Sequence, residues 1–270
     1  MDLLVDKAQT ILERRIGERP SARLLDIHSD LLHFALINYA LPPSRLRPHI
    51  PDRFDIPEFD INGEKLALMS AVPFWDADFR FVRLAPWLKW QFAQTNYRVY
   101  VVERQTGEHV VWFFGTTLGS PIVYAARGLW GIPWHYARYA VDCVWVADAA
   151  AAGRYHHYHI TAQSDWASAE ITLTDMGQPI TCQPGFTSMA EMQLILTHPV
   201  VGFYFRLNGR LGSYSIWHDL IPLTTATPQH LYFSLYERLN LLSRSEMQQP
   251  HSIFLCPRTT FDVHLPPLKL

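Results

Sequence analysis

Apolar residues recur at two spacings along this chain. One marks a helical opening and the other a body made mostly of strands. In residues 2–17, DLLVDKAQTILERRIG, Leu4, Ala8, Ile11, Leu12 and Ile16 share one face at helical spacing, and Gly17 and Pro20 end the pattern. This predicts an amphipathic helix packed on the main body or against a partner subunit. From Leu31 to Leu41 the run LLHFALINYAL is strand-like, and PPSRLRPHIP after it is a short helix or turn bracketed by prolines. Asn62-Gly63 is the strongest short hairpin signal in the chain. The strand beyond it, Leu66 to Phe74, is nearly all apolar and is expected to be buried on both faces. Residues 76–92 are expected to be irregular and are rich in Trp and Phe.

A second hairpin follows, NYRVYVVE and HVVWFFGTTLG about the turn QTGE. Alternation puts Asn96, Arg98 and Tyr100 on one face of its first arm and Tyr97, Val99 and Val101 on the other. The polar face meets either solvent or a wet cavity. Next comes SPIVYAARGLWGIPWHYARY, residues 120–139. Ser120 is suited to cap a helix, Pro121 to its first turn, and Gly128, Gly131 and Pro133 to its end. Trp134, His135, Tyr136 and Arg138 then form a polar and aromatic cluster on a rigid turn. Three alternating segments read as antiparallel strands, with a small-residue turn at 149–153. Residues 188–198 read as a helix with Ser188 and Glu191 as a capping box. Asn208-Gly209 centres another hairpin, TPQHLYFSLYERLNLLS (residues 227–243) reads as a helix, and HSIFLCP and TTFDVHLPP read as closing strands. Strands in adjacent hairpins predict a mainly β fold with minor α, a mostly antiparallel sheet or barrel with a few helices around it.

Composition narrows the class. The 270 residues are 49% apolar, enough for a sizeable core. A formal net charge of −2, without long runs of one sign, argues against nucleic acid or an anionic membrane as partner. No apolar run is long enough to cross a bilayer and no signal core opens the chain, so a cytoplasmic location is expected. Cys143, Cys182 and Cys256 are far apart and form no CxxC pair, so neither a disulfide framework nor a zinc knuckle is expected. Nine Trp, twelve Tyr and fifteen Phe suit strands and the walls of an apolar ligand cavity.

The order of several segments resembles the acetoacetate-decarboxylase-like superfamily and, within it, the uncharacterised family called domain of unknown function 2071. The matching pieces are PPSRLRPHIP, NGEKLALMSAVPFW, NYRVYVV, AARGLWGIPWHYARY and HSIFLCPRTTFDVHLPP, from about Leu31 to Pro267. The resemblance implies an acetoacetate-decarboxylase-like closed antiparallel barrel with flanking strands and helices and a ligand cavity inside. One domain is expected over residues 21–270, with residues 1–20 as an accessory N-terminal helix outside the resemblance. Acetoacetate decarboxylase carries a Pro-Lys-Lys run after the corresponding helix, and one lysine forms a Schiff base with the β-keto acid. Pro133-Trp134-His135 stands there in this chain, so the nucleophile is missing.

Four lysines occur in all, Lys7, Lys65, Lys89 and Lys269, and only Lys89, in PWLKW, has surroundings suited to a buried amine. The remaining chemistry is acid–base and anion binding. His135, with Tyr100 or Tyr136, is the expected catalytic set. Arg98, Arg127, Arg138, Asn96 and Trp134 are the expected substrate-binding set, the arginines clamping a carboxylate or pairing internally with Glu103, Glu170, Glu237 or Asp142. His157 and His159 share a strand face but lack an evident third ligand, so no metal and no cofactor is expected. His218 has a weaker claim to the cavity. Nucleophile-elbow, P-loop, dinucleotide and HExxH motifs are absent. The expectation is a small-molecule enzyme acting on a small organic acid or keto compound without a Schiff-base lysine. The alternative is a non-catalytic barrel that binds an apolar or aromatic small molecule. A homo-oligomer is compatible with either.

Overall fold

The computed structural model describes residues 2–148 and 151–269, so residues 149 and 150 of the expected small-residue turn lie outside it. The opening helix α1 (Asp2–Gly17) is followed by β1 (Ile27–Leu41), α2 (Pro43–Leu46), β2 (Phe54–Asp55), β3 (Phe59–Ile61) and β4 (Glu64–Phe81). Then come β5 (Trp90–Glu103), β6 (His109–Leu118), α3 (Ile122–Trp130), β7 (Trp134–Tyr136), β8 (Arg138–Asp148), β9 (Ala151–Gln163) and β10 (Ala169–Pro179). The last third holds α4 (Met189–Leu196), β11 (Val201–Phe205), β12 (Leu211–Trp217), β13 (Thr224–Phe233), α5 (Ser234–Arg238), α6 (Arg244–Met247) and β14 (Ser252–Lys269).

The protein is mainly β. Its main sheet runs β1-β4-β5-β6-β11-β12-β14-β13-β10-β9-β8, and β1 also pairs with β14. The pairings from β1 through β14 therefore return to β1, and β13, β10, β9 and β8 extend from that ring. Most pairs are antiparallel, but β11 and β7 both run parallel to β6, so the sheet is mixed. The two parallel pairs lie where the chain arrives by way of a helix, α3 between β6 and β7 and α4 ahead of β11, rather than through a tight turn.

Both faces of the ring are buried. On β5, Tyr97, Val99 and Val101 enter one core cluster and Tyr100 the other; on β6, Val110 and Trp112 oppose Val111 and Phe113. This accounts for the near-continuous apolar run of β4, because a strand covered on both sides has no solvent face to keep polar.

Local signals set most boundaries. Asn62 (φ 56°) and Gly63 (φ 87°) form the two-residue β3–β4 turn, whose left-handed backbone these residues accept most readily. Helix α3 stops at Gly131, at φ 66°, whose N–H returns to Arg127 O. Pro121 is its N-cap, with Ser120 one residue further out. Ser188 caps α4 by accepting from Glu191 N, while the Glu191 carboxylate reaches back to Thr187 N instead of closing the box on Ser188.

Two expectations need correction. Residues 76–92 are irregular only over 82–89: β4 continues to Phe81 and β5 begins at Trp90. Residues 227–243 are not one helix. Their first part belongs to β13, which pairs with β10, and only Ser234–Arg238 is helical there. The β-branched and aromatic residues of TTATPQHLYF favour the pleated surface, and Pro228 disfavours helix.

Helix α1 lies on α4, with Leu12 packed on Ala190 and Leu194. Arg15 donates to His198 O, and Trp217 Nε1 donates to Ile16 O.

Candidate functional site

A cavity of about 90 Å³ is lined by residues of β1, β4, β5, β6, β7, β11, β12, β14 and the link from α4 to β11. Its walls are largely apolar, including Phe34, Phe74, Phe113, Trp134 and Phe261. Polar atoms come from Ser29, Asp76, Gln94, Asn96, Arg98, Thr197 and Tyr214.

Among the described residues, Arg98 is the only cationic side chain in that lining. It is 7% exposed, and its alternation on β5 follows from the sequence. Nε donates to Ser70 Oγ at 3.1 Å and Nη2 to Leu196 O at 3.0 Å. Nη1 has no partner among the described residues, and no carboxylate pairs with Arg98. The acids that could have neutralised the arginines are engaged elsewhere: Glu103 with Arg53, Asp142 with His157, Glu170 with His230 and Glu237 with Arg244. A buried guanidinium with spare donor capacity and no counter-ion is suited to an anion. Asn96 also lines the cavity and accepts from Thr116 Oγ1 at 2.7 Å.

Asp76 is the other ionisable group of consequence, and the sequence reading missed it. It lies on the part of β4 expected to be irregular, where the β4–β5 register slips between Asp76 and Phe79. The alternation of WDADFRF was the available signal. Oδ1 accepts from Ser29 Oγ at 2.6 Å, while Oδ2 is buried without any hydrogen bond. Complete desolvation raises its pKa to about 7, against which the Ser29 bond acts weakly.

The expected residues divide by strand parity. Trp134 on β7 lines the cavity, so its neighbour His135 faces the other side, where it stacks on Trp166 with ring centroids 4.0 Å apart. Burial first, then Arg127 and Arg238, push the His135 pKa down to about 4, leaving the ring neutral near pH 7. Tyr136 is exposed and stacks on Tyr124, and Arg138 is exposed. Arg127 does not reach the cavity: Nη1 donates to Trp134 O at 2.6 Å and ties the end of α3 to β7. Tyr100 sits one layer behind the lining, with Oη 3.1 Å from both Asn38 Oδ1 and Ser70 Oγ and 3.2 Å from Leu196 O.

The C-terminus of α4 closes this layer. Leu196 O takes Arg98, Thr197 O lies 2.8 Å from His218 Nε2, and His198 O takes Arg15. His218 also has Nδ1 2.8 Å from Asp219 O and stacks on Phe261 at 4.2 Å. Carbonyls only accept, so both contacts are hydrogen bonds only when both ring nitrogens carry protons. Burial works against that charge and lowers the pKa. His218 thus braces a cavity wall from behind.

No lysine lines the cavity among the described residues. Lys89 is 56% exposed and pairs with Asp78 at 3.1 Å, and Lys65 is exposed beside Asp60. His157 and His159 have ring centroids 6.2 Å apart, and His159 Nδ1 lies 2.9 Å from Thr172 Oγ1. Among the described residues, no group of three or more His, Cys, Asp or Glu side chains is arranged to hold a metal ion. No helix is long and apolar enough to cross a membrane among the described residues.

This architecture is the acetoacetate-decarboxylase-like fold. The enduracididine biosynthesis enzyme MppR complexed with pyruvate superimposes with a TM-score of 0.59 at 12% identity, over 94% of this chain and 93% of that one. An acetoacetate decarboxylase-like enzyme from Sphingomonas wittichii RW1 gives 0.58 at 8% identity, over 92% and 94%. Acetoacetate decarboxylase from Legionella pneumophila gives 0.53 at 14% identity, over 96% and 95%. Within that fold the chain belongs to domain of unknown function 2071, a family of uncharacterized conserved proteins whose sequence profile matches residues 28–260. No curated protein matches the chain in sequence.

Proposed function

We propose that this protein is a small-molecule enzyme acting on an organic acid or keto compound held in the ring cavity, without an imine intermediate. The closed run of pairings from β1 through β14 is read as the family's barrel, and residues 21–270 as one domain with the N-terminal helix as its accessory. The observation that carries the reading is Arg98: a buried guanidinium on a largely apolar wall, with Nη1 unpartnered and no carboxylate of the described residues ion-paired with it. Its role is to hold the substrate's carboxylate. Asn96, with its oxygen already used by Thr116, supplies amide donors beside it.

Acid–base work falls to Asp76 instead of His135, Tyr100 or Tyr136. A carboxyl that titrates near 7 is matched to moving a proton at a carbon next to a carbonyl near neutral pH. By the resemblance, Pro133-Trp134-His135 stands where the decarboxylase carries its Pro-Lys-Lys run, so a lyase-like or proton-transfer reaction through enolate chemistry is favoured over covalent catalysis. The three free thiols fit a reducing, cytoplasmic setting.

The test is turnover of a panel of β-keto acids and 2-oxo acids, run with and without borohydride. Turnover that survives borohydride and fails in Arg98→Gln and Asp76→Asn supports the reading. A borohydride-trapped adduct overturns it. The mainly apolar lining also favours a second reading, a non-catalytic binding barrel; tight binding of an apolar ligand with no turnover of any panel member would select that one.

A further inference from the structure

Two residues of the cavity lining carry partnerless polar atoms of different character. Arg98 Nη1 is a fixed donor on a permanent cation. Asp76 Oδ2 is a buried carboxyl oxygen with no hydrogen bond. The two side chains form no ion pair with each other, although both line the same space. Resting on the ligand site proposed above, we propose that the cavity selects apolar monocarboxylates over dicarboxylates, and that Asp76 takes up one proton as the carboxylate settles against Arg98.

The argument is a count of charge in a low-dielectric box. β5 supplies Arg98, and otherwise only the amides of Gln94 and Asn96; β1 supplies the Ser29 hydroxyl. β12 supplies Tyr214, whose pKa burial raises so that the phenol stays neutral. Thr197 faces in beyond α4, with His218 behind it and held off the cavity by Phe261. On β4 itself, Asp78 and Arg80 pair with each other and Lys89 pairs with Asp78, which leaves Asp76 alone. With Asp76 ionised, the empty site is neutral overall. An arriving carboxylate then makes two anions to one cation. With Asp76 protonated, the bound site is neutral. Burying a like charge beside an ionised carboxylate is costly, so binding draws the proton in. A second ligand carboxylate would meet apolar walls and neutral polar groups, with no cation left to pair it.

The experiment is isothermal titration calorimetry of the full chain with hexanoate, succinate and hexanamide at pH 6, 7, 8 and 9. Each titration is repeated in two buffers of different ionisation enthalpy. Hexanoate is expected to bind at least about tenfold tighter than succinate or hexanamide. Its Kd should rise about tenfold per pH unit above the Asp76 titration, with one proton taken up in that range. Asp76→Asn should bind hexanoate with a flat pH profile and no proton uptake, and this variant serves even if Arg98→Gln does not fold. Equal affinity for succinate, equal affinity for hexanamide, or a flat wild-type profile without proton uptake overturns the proposal. If the profile is flat while a keto acid is still turned over, this inference falls and the functional reading stands. If none of the three probes binds and no keto acid is turned over, both fall.

Discussion

Replacing Asp76 by Asn should make the protein more stable at alkaline pH and leave it nearly unchanged in mild acid. The carboxyl titrates near 7 in the fold, raised by burial, against 3.8 for the unperturbed group. A group whose folded pKa lies above its unfolded pKa binds more protons folded than unfolded between those values. Its contribution to stability is therefore intact below about pH 4 and is lost as pH rises toward 7. At about 1.4 kcal/mol for each pH unit separating the two values, the ionised side chain weakens the fold by about 4 kcal/mol above pH 7. Asn keeps the oxygen that accepts from Ser29 and cannot ionise. It leaves an unbonded polar group where Oδ2 was, as the protonated acid also does, so the low-pH cost of the swap is small. Guanidinium unfolding of wild type and Asp76→Asn from pH 4 to 9 isolates this, because every other titration cancels in the difference. The variant's advantage should climb from near zero at pH 4 to about 4 kcal/mol at pH 8. A difference that does not change with pH would refute the reasoning, since it would mean that Asp76 is as easily ionised in the fold as in the open chain.

Three further outcomes are expected. His135→Phe keeps the stack on Trp166 and removes no recorded hydrogen bond, so the melting temperature and any keto-acid turnover should stay within error of wild type; a loss of turnover without a loss of stability would return His135 to the site. Trp134→Lys puts an amine on the cavity wall, and borohydride with acetoacetate should then leave a trapped adduct on that peptide by mass spectrometry, whereas wild type shows none. Leu12→Ala opens the α1–α4 contact with Ala190 and Leu194 and should cost about 2–3 kcal/mol in guanidinium unfolding; a cost near zero would mean that α1 is not docked on the body.

What could be read from the sequence, and what could not, follows from the range of the interactions involved. Alternation on β5 is a local property, and it assigned Asn96 and Arg98 to one face and Tyr97, Val99 and Val101 to the other, as the two cores show. The glycine stop of α3 and the Asn62-Gly63 turn are equally local. The same parity rule, applied to β7, separates Trp134 from His135: two adjacent strand residues do not both face one cavity, and grouping them as one site overlooked this. Asp76 was hidden by the break in register that follows it, which made a continuing strand look like an irregular stretch. The state of Arg98 was not legible at all. Whether a guanidinium is spent on an internal carboxylate or left for a ligand depends on what the fold brings to it. Here that is the carbonyl of Leu196, 98 residues away, at the end of a helix whose capping is visible in sequence but whose place against β5 is not. A helix C-terminus is a weak acceptor compared with a carboxylate, so it orients the guanidinium without neutralising it. That difference keeps Arg98 available, and it makes the resting charge of the cavity depend on Asp76 alone.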